Sequence, residues 1–100
     1  MTNTDIKENA AKAAQWLKLL SHPERLFVLC QLIQGEKSVN ALQKHSELTQ
    51  SALSQHLALL RNHDLVSTRK DAKHIFYSLK DESVIAVIQI LYAKFCTNKE

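Results

Sequence analysis

Apolar residues recur at three- and four-residue steps along most of this chain, and the places where that period starts, stops or changes divide it into elements. Ile6, Ala10, Ala13, Leu17 and Leu20 set a first helical stripe over about residues 4–20. The next segment reads SHPERLFVLCQLIQG. Its Ser21 and Glu24 have the spacing of a capping box, and Pro23 suits a first helical turn, where a missing N–H costs no hydrogen bond. Gly35, the one glycine in the chain, stands where a left-handed residue would end that helix. Between these signals Leu26, Leu29, Cys30 and Ile33 share a face, which puts Cys30 among core residues.

Ser38 is placed to cap a short third helix, VNALQKHS, with Val39 and Leu42 inward, and Thr49 to cap a fourth that runs to about His63. Two short helices joined by a tight turn have the form of a helix-turn-helix. The period then drops to two. In LVSTRKDAKHIFYSL, Ile75, Tyr77 and Leu79 alternate with His74, Phe76 and Ser78, and Val66 begins a similar run, so two strands joined around Asp71-Ala72-Lys73 are predicted. Helical spacing returns from about Asp81 to Cys96, with Ile85, Ile88, Tyr92 and Cys96 along one stripe and Val84, Val87, Leu91 and Phe95 beside it. So broad an apolar band on a terminal helix predicts packing against a second subunit. Four helices, a hairpin and a final helix make a winged helix-turn-helix layout, mainly α with a small β-hairpin, in one domain over residues 1–100.

Composition adds bounds. One hundred residues, 45% hydrophobic and 23% charged, suit one folded domain whose modest core would gain from a partner subunit. No internal repeat or low-complexity linker interrupts it. The start, MTNTDIKENAAK, lacks a signal pattern, and IAVIQILYA is too short to cross a bilayer, so a cytoplasmic location without membrane contact is expected. There two cysteines stay reduced and are to be explained as core residues, ligands or sensors. A net charge of +3 leans towards an anionic partner without identifying it.

Candidate chemistry concentrates in LTQSALSQHLALL. On a helix Leu53, Leu57 and Leu60 fall within about 60° of one another, while Ser51, Ser54, Gln55 and Ala58 cluster on the far side. Short hydroxyls and amides let a helix enter a DNA major groove roughly 12 Å wide, where glutamine can bond base edges and serine can reach bases or phosphates. An ordinary surface helix of low charge accounts for the same pattern. Arg61 lies near the end of this helix, and Arg69, Lys70 and Lys73 crowd the hairpin. They could touch phosphates or a minor groove, or simply solvate an edge hairpin. His22, His45, His56, His63 and His74 contain no i, i+4 pair of the kind a helix uses to chelate zinc.

LLSHPERLFVLCQLIQGEKSVNAL followed by LTQSALSQHLALLRNHDLVSTRKDAKHIFYSL resembles the ArsR family of bacterial winged-helix repressors across nearly the whole chain. The resemblance rests on the second-helix proline, the SV-x-x-L segment, the SQHL-x-x-LR-like helix and the wing in that order. It implies a homodimer joined through its first and last helices, binding double-stranded operator DNA until an inducer releases it. By position, Gln50, Ser51, Ser54 and Gln55 correspond to DNA-facing places, whereas the helical angle turns His56 towards the leucines, as a packed residue. Glu47 departs from the glycine that many relatives carry in the turn, which bears on the turn's geometry rather than on the motif.

The metal sites of many family members, a Cys-x-Cys pair before the recognition helix or Asp/His pairs on the last helix, are missing here, where the first region reads KSVNAL. No metal or other cofactor is expected. In the branch that includes the BigR, SqrR and HlyU-like regulators, one cysteine occurs in the LC-x-L of the second helix and another near the end of the last; Cys30 and Cys96 occupy both places. That resemblance implies thiols that react with inorganic or organic persulfides, or with oxidants, and change DNA affinity by forming a disulfide or polysulfide. Two small buried hydrophobes are the plainer reading of the same residues. Competing functions are a winged-helix protein-interaction module, a metal sensor with a non-standard site, and an enzyme such as a thiol peroxidase. Against the last, no nucleophile, base and orienting residue are evident, so no enzymatic activity is expected.

Overall fold

The leucines that set the helical period converge on one core, and the helices around it begin where short polar side chains can cap them. The structure is a computed structural model that describes residues 2–95. In chain order it contains α1 (Asn3–Leu20), α2 (Pro23–Leu32), β1 (Lys37–Ser38), α3 (Val39–Lys44), α4 (Gln50–Asn62), β2 (Val66–Asp71), β3 (His74–Leu79) and α5 (Glu82–Phe95). This is the winged helix-turn-helix layout, with α3 and α4 as the helix pair and β2–β3 as the wing.

Thr2 and Asp5 close a capping box at the start of α1. Ser38 Oγ accepts the Ala41 N–H at 3.0 Å, and Thr49 Oγ1 the Ala52 N–H at 3.1 Å, as their positions predict. The Ser21–Glu24 box does not form. Ser21 instead ends α1, donating both its N–H and its hydroxyl to the Lys18 carbonyl, and His22 caps α2 by accepting the Glu24 N–H on Nδ1 at 3.1 Å. With Ser21 and His22 alone between the helices, the serine is taken up by the orphan carbonyls of α1 and the next residue must cap. Pro23 takes the first turn, and Gly35 closes the far end with φ 131°.

The sheet has one strand more than the hairpin. Lys37–Ser38 pairs antiparallel with β3, giving the order β1-β3-β2. A two-residue strand is too short to show alternation, which is why its pattern is silent. The wing turns through Ala72-Lys73, with Ala72 at φ 56°. In the helix-turn-helix corner, Gln43 Nε2 donates to the Leu48 carbonyl at 2.8 Å and Ser46 Oγ accepts the Leu48 N–H at 3.0 Å. Among the described residues only Asp64 and Ala72 are non-glycines with positive φ. Glu47 therefore does without the left-handed conformation that would demand glycine.

Leu29, Leu42, Leu53, Leu57, Leu60, Leu65, Val84 and Ile88 are sealed from solvent, with Cys30 and Val39 half-buried against them. Ile75 shares the Tyr77 side of the predicted alternation but is exposed, because it lies near the wing tip beyond the core. Each fully buried leucine is worth about 1.5–3 kcal/mol. Leu57→Ala is expected to cost about 2–5 kcal/mol in denaturant unfolding at fixed protein concentration, and Ser54→Ala on the opposite face less than about 0.5 kcal/mol. Equal losses would mean that the leucine row does not hold α4.

Candidate nucleic-acid interface

Helix α4 separates two chemistries by its period alone. Leu53, Leu57 and Leu60 are buried, while Gln50, Ser51, Ser54 and Gln55 are exposed along the other side. The exposed side has hydroxyls and amides within its first two turns and carries a full charge only at Arg61, about 16 Å along the axis from Gln50.

Next to this face runs a cleft of about 270 Å³ between α3, α4 and the wing. Ser38 and Asn40 line it from the α3 side, Gln50 and Ser54 from α4, and Lys73 and His74 from the wing. Three of the sequence-predicted residues, Gln50, Ser54 and Lys73, are thus brought to one place. Ser51 and Gln55 lie outside the cleft on the same exposed side of α4. Asn40 and His74 were not singled out by pattern, since an isolated polar residue on a short helix or strand carries no period. At the cleft floor Tyr77 is buried, which pushes its phenol up, with a smaller opposing effect from Arg61.

Strand alternation divides the wing cations. Thr68 pairs with Tyr77 and Lys70 with Ile75, and Tyr77 and Ile75 both line the cleft, so Lys70 stands on the cleft side of the sheet. Arg69 faces the other way. Its guanidinium lies over the Phe76 ring, 4.4 Å from the centroid, and meets Glu36 in a two-pronged contact at 2.8 Å for each bond. Asp71 lies 3.7 Å from the same guanidinium. The hydrogen bonds to Glu36 push the Arg69 pKa up. Glu36 precedes β1 and Arg69 lies on β2, so the pair reaches across β3 and clips the sheet's two edges together. Arg69 is thus committed to the sheet, and its charge is answered by two carboxylates.

Residues 22–68, from the cap of α2 into the wing, match the family model described as bacterial regulatory protein, arsR family. The chain is 45% identical to the transcriptional activator HlyU of Vibrio cholerae, over 96% of this chain and 89% of that protein. The chain belongs to the ArsR family. It is a winged-helix transcriptional regulator. It is also 40% identical to the biofilm growth-associated repressor of Xylella fastidiosa over its full length and 88% of that protein. Among solved structures, reduced HlyU from Vibrio cholerae superposes with a TM-score of 0.87 at 45% identity, covering 93% of this chain and 98% of that one. The repressor BigR from Xylella fastidiosa does so with 0.83 at 40% identity, covering 98% and 100%.

In this regulator Cys30 lies on α2, half-buried, and lines an apolar cavity of about 210 Å³ with Leu26, Leu91, Tyr92 and Phe95. Cys96 lies outside the described residues. Phe95, its neighbour in the chain, shares the Cys30 cavity. His56 is half-buried and hydrogen-bonded to Arg25, in keeping with a packed residue rather than one on the exposed side of α4. No helix among the described residues is long and apolar enough to cross a membrane.

Proposed function

We propose that the regulator is a homodimer that binds operator DNA with α4 in the major groove and the wing against the backbone. The observation that carries this reading is the division of α4 into a sealed leucine side and an exposed side of uncharged hydrogen-bonding groups opening on a cleft that reaches the wing. Gln50, Ser51, Ser54 and Gln55 read base edges and adjacent phosphates. Lys70, Lys73 and Arg61 neutralise backbone charge. Arg69 keeps the wing in shape and leaves the backbone to its neighbours. The dimer is supported by apolar side chains that the single chain leaves half or more in solvent: Ile6 and Leu17 lie 50% and 49% exposed on one stripe of α1, and Ile90 and Phe95 66% and 72% exposed on α5. Two such readers bind half-sites about one helical turn apart. The names of its relatives include both an activator and a repressor. The sign of control then follows from where the operator lies, by blocking polymerase or by displacing another DNA-binding protein.

The inducer in this reading is a reactive sulfur species. One thiolate of the Cys30 and Cys96 pair takes the terminal sulfur of a persulfide RSSH and releases the thiol RSH. The second thiolate then displaces hydrosulfide to leave a disulfide; or it takes sulfur from a second RSSH, releasing a second RSH, and the two cysteine persulfides condense to a trisulfide with loss of hydrogen sulfide. A direct disulfide needs Cα atoms within about 7 Å, and each added sulfur extends the reach by roughly 2 Å. A bridge from Cys30 on α2 to Cys96, which follows Phe95 in the chain, would bias the helices that support the dimer. Ordinary allosteric coupling of about 1–3 kcal/mol lowers operator affinity about 5- to 150-fold.

The DNA reading is tested by the salt dependence of binding. Log affinity is expected to fall linearly with log salt. Lys73→Ala should reduce the slope by about one, and Arg69→Ala should leave it unchanged. A flat salt response would leave the protein-interaction module as the better reading. For the switch, Cys30→Ser and Cys96→Ser should each bind operator as the parent does, yet resist release by persulfide in a fluorescence-anisotropy titration. Release of both variants at the parent's persulfide concentration would remove the thiols from the mechanism.

A further inference from the structure

On the side of α4 turned away from its reading face, one arginine joins three helices. Arg25, on α2, donates Nε–H to the Leu19 carbonyl at 2.7 Å and Nη2–H to the Lys18 carbonyl at 3.1 Å, engaging the C-terminal end of α1. Its Nη1 lies 3.2 Å from Nδ1 of His56 on α4. The His22 ring packs against the His56 ring with centroids 4.4 Å apart and planes inclined at 47°. Glu24 stands at the edge of this group, its carboxylate accepting the Ser46 hydroxyl at 3.4 Å.

A guanidinium has donors and no acceptor, so the Arg25–His56 bond exists only when Nδ1 of His56 offers its lone pair. The imidazole must then be neutral with its proton on Nε2. A proton on Nδ1 removes the bond and sets an imidazolium against a guanidinium and a second imidazole. The leucine row beneath α4 fixes how deeply the helix sits, but burial is not directional. An N–H···N bond prefers a narrow range of angles and so fixes the helix's rotation as well. The other donors of Arg25 hold the end of α1, whose exposed stripe supports the dimer.

We propose that Arg25 and His56 are positioning residues for operator binding, a clamp that sets the rotation of α4 relative to α1, and that protonation of His56 opens it and weakens binding. This rests on the DNA reading above. Neither residue touches DNA in it; each acts through the angle at which Gln50, Ser54 and Gln55 are presented. The groups facing His56 agree with the direction. Burial lowers its pKa below the usual histidine value of 6.5, His22 and Arg25 lower it further, and Glu24 opposes them. From α1 the cluster receives the backbone carbonyls of Lys18 and Leu19. With the folded value depressed, the clamp is complete above the ordinary histidine range and is lost as pH falls through the lowered value.

The test uses the full chain and a fluorescent duplex selected by it from random sequence at pH 8, with affinity measured from pH 8 to 5.5 at constant ionic strength. The parent is expected to lose at least about fivefold in affinity across that range, the low end of ordinary coupling. His56→Ala should bind weakly throughout. His56→Asn offers an uncharged acceptor near the Nδ1 position, and should recover most of the affinity that alanine loses at pH 8 while showing a flatter pH profile. The other histidines are common to all three proteins, so the difference between profiles isolates His56. Parallel profiles for the parent and His56→Asn would overturn the clamp and leave the DNA reading standing. A selection that recovers no duplex would reject the DNA reading, and the clamp's role with it. Nitrogen NMR of the parent at pH 8 supplies a measure that does not depend on variant folding. His56 should be the Nε2–H tautomer with a hydrogen-bonded Nδ1 whose signal moves in Arg25→Lys, and an Nδ1–H tautomer would overturn the proposal.

Discussion

Burial of Leu53, Leu57 and Leu60 along one side of α4 is the constraint from which the rest of the molecule takes its shape. A helix of 13 residues is marginal by itself in water. It persists because three leucines leave solvent together, on a core that α2, α3, β2 and α5 complete. Once that side is taken up by packing, the helical period dictates which residues remain outside, and they are Gln50, Ser51, Ser54 and Gln55. Anchoring and the exposed polar face proposed to read DNA are therefore two consequences of one seating.

The polar contacts around this core refine the seating more than they stabilise it. Arg69, Glu36 and Phe76 hold the outer face of the sheet and keep β1 in line with the wing. Arg25 does the equivalent for helices, reaching from α2 to the carbonyl end of α1 and to His56. Exposed ion pairs contribute little to folding free energy. In the proposed DNA complex their value is geometric, since the wing cations and the α4 face would have to meet one duplex at the same time.

The helices, the hairpin and the divided face of α4 are legible in the chain because a sealed core imposes a strict period on leucine and valine. Caps at Ser38 and Thr49 are legible for a related reason: a side-chain oxygen placed just before an apolar stripe has one obvious use. Contacts that depend on which residues meet across the fold are not. Ser21 and Glu24 have the spacing of a capping box, and only the proximity of two helix ends gives the serine to α1 instead. Arg69, Lys70 and Lys73 look equivalent in a basic run, yet strand alternation sends Arg69 to the opposite face from Lys70. Resemblance to the family reaches further than periodicity for the DNA-facing positions, and it supplies the pairing of Cys30 with Cys96, the second of which lies outside the described residues.

The central claim is that the uncharged side of α4 reads bases. It is tested most directly by selecting binding sites from random duplexes with the parent and with Gln55→Ala. Gln55→Ala is expected to keep its affinity for unselected DNA and to lose preference at a small set of symmetry-related base pairs, with discrimination falling by about 1–3 kcal/mol at each base that Gln55 reads. An identical selected motif, bound more weakly at every position alike, would contradict it.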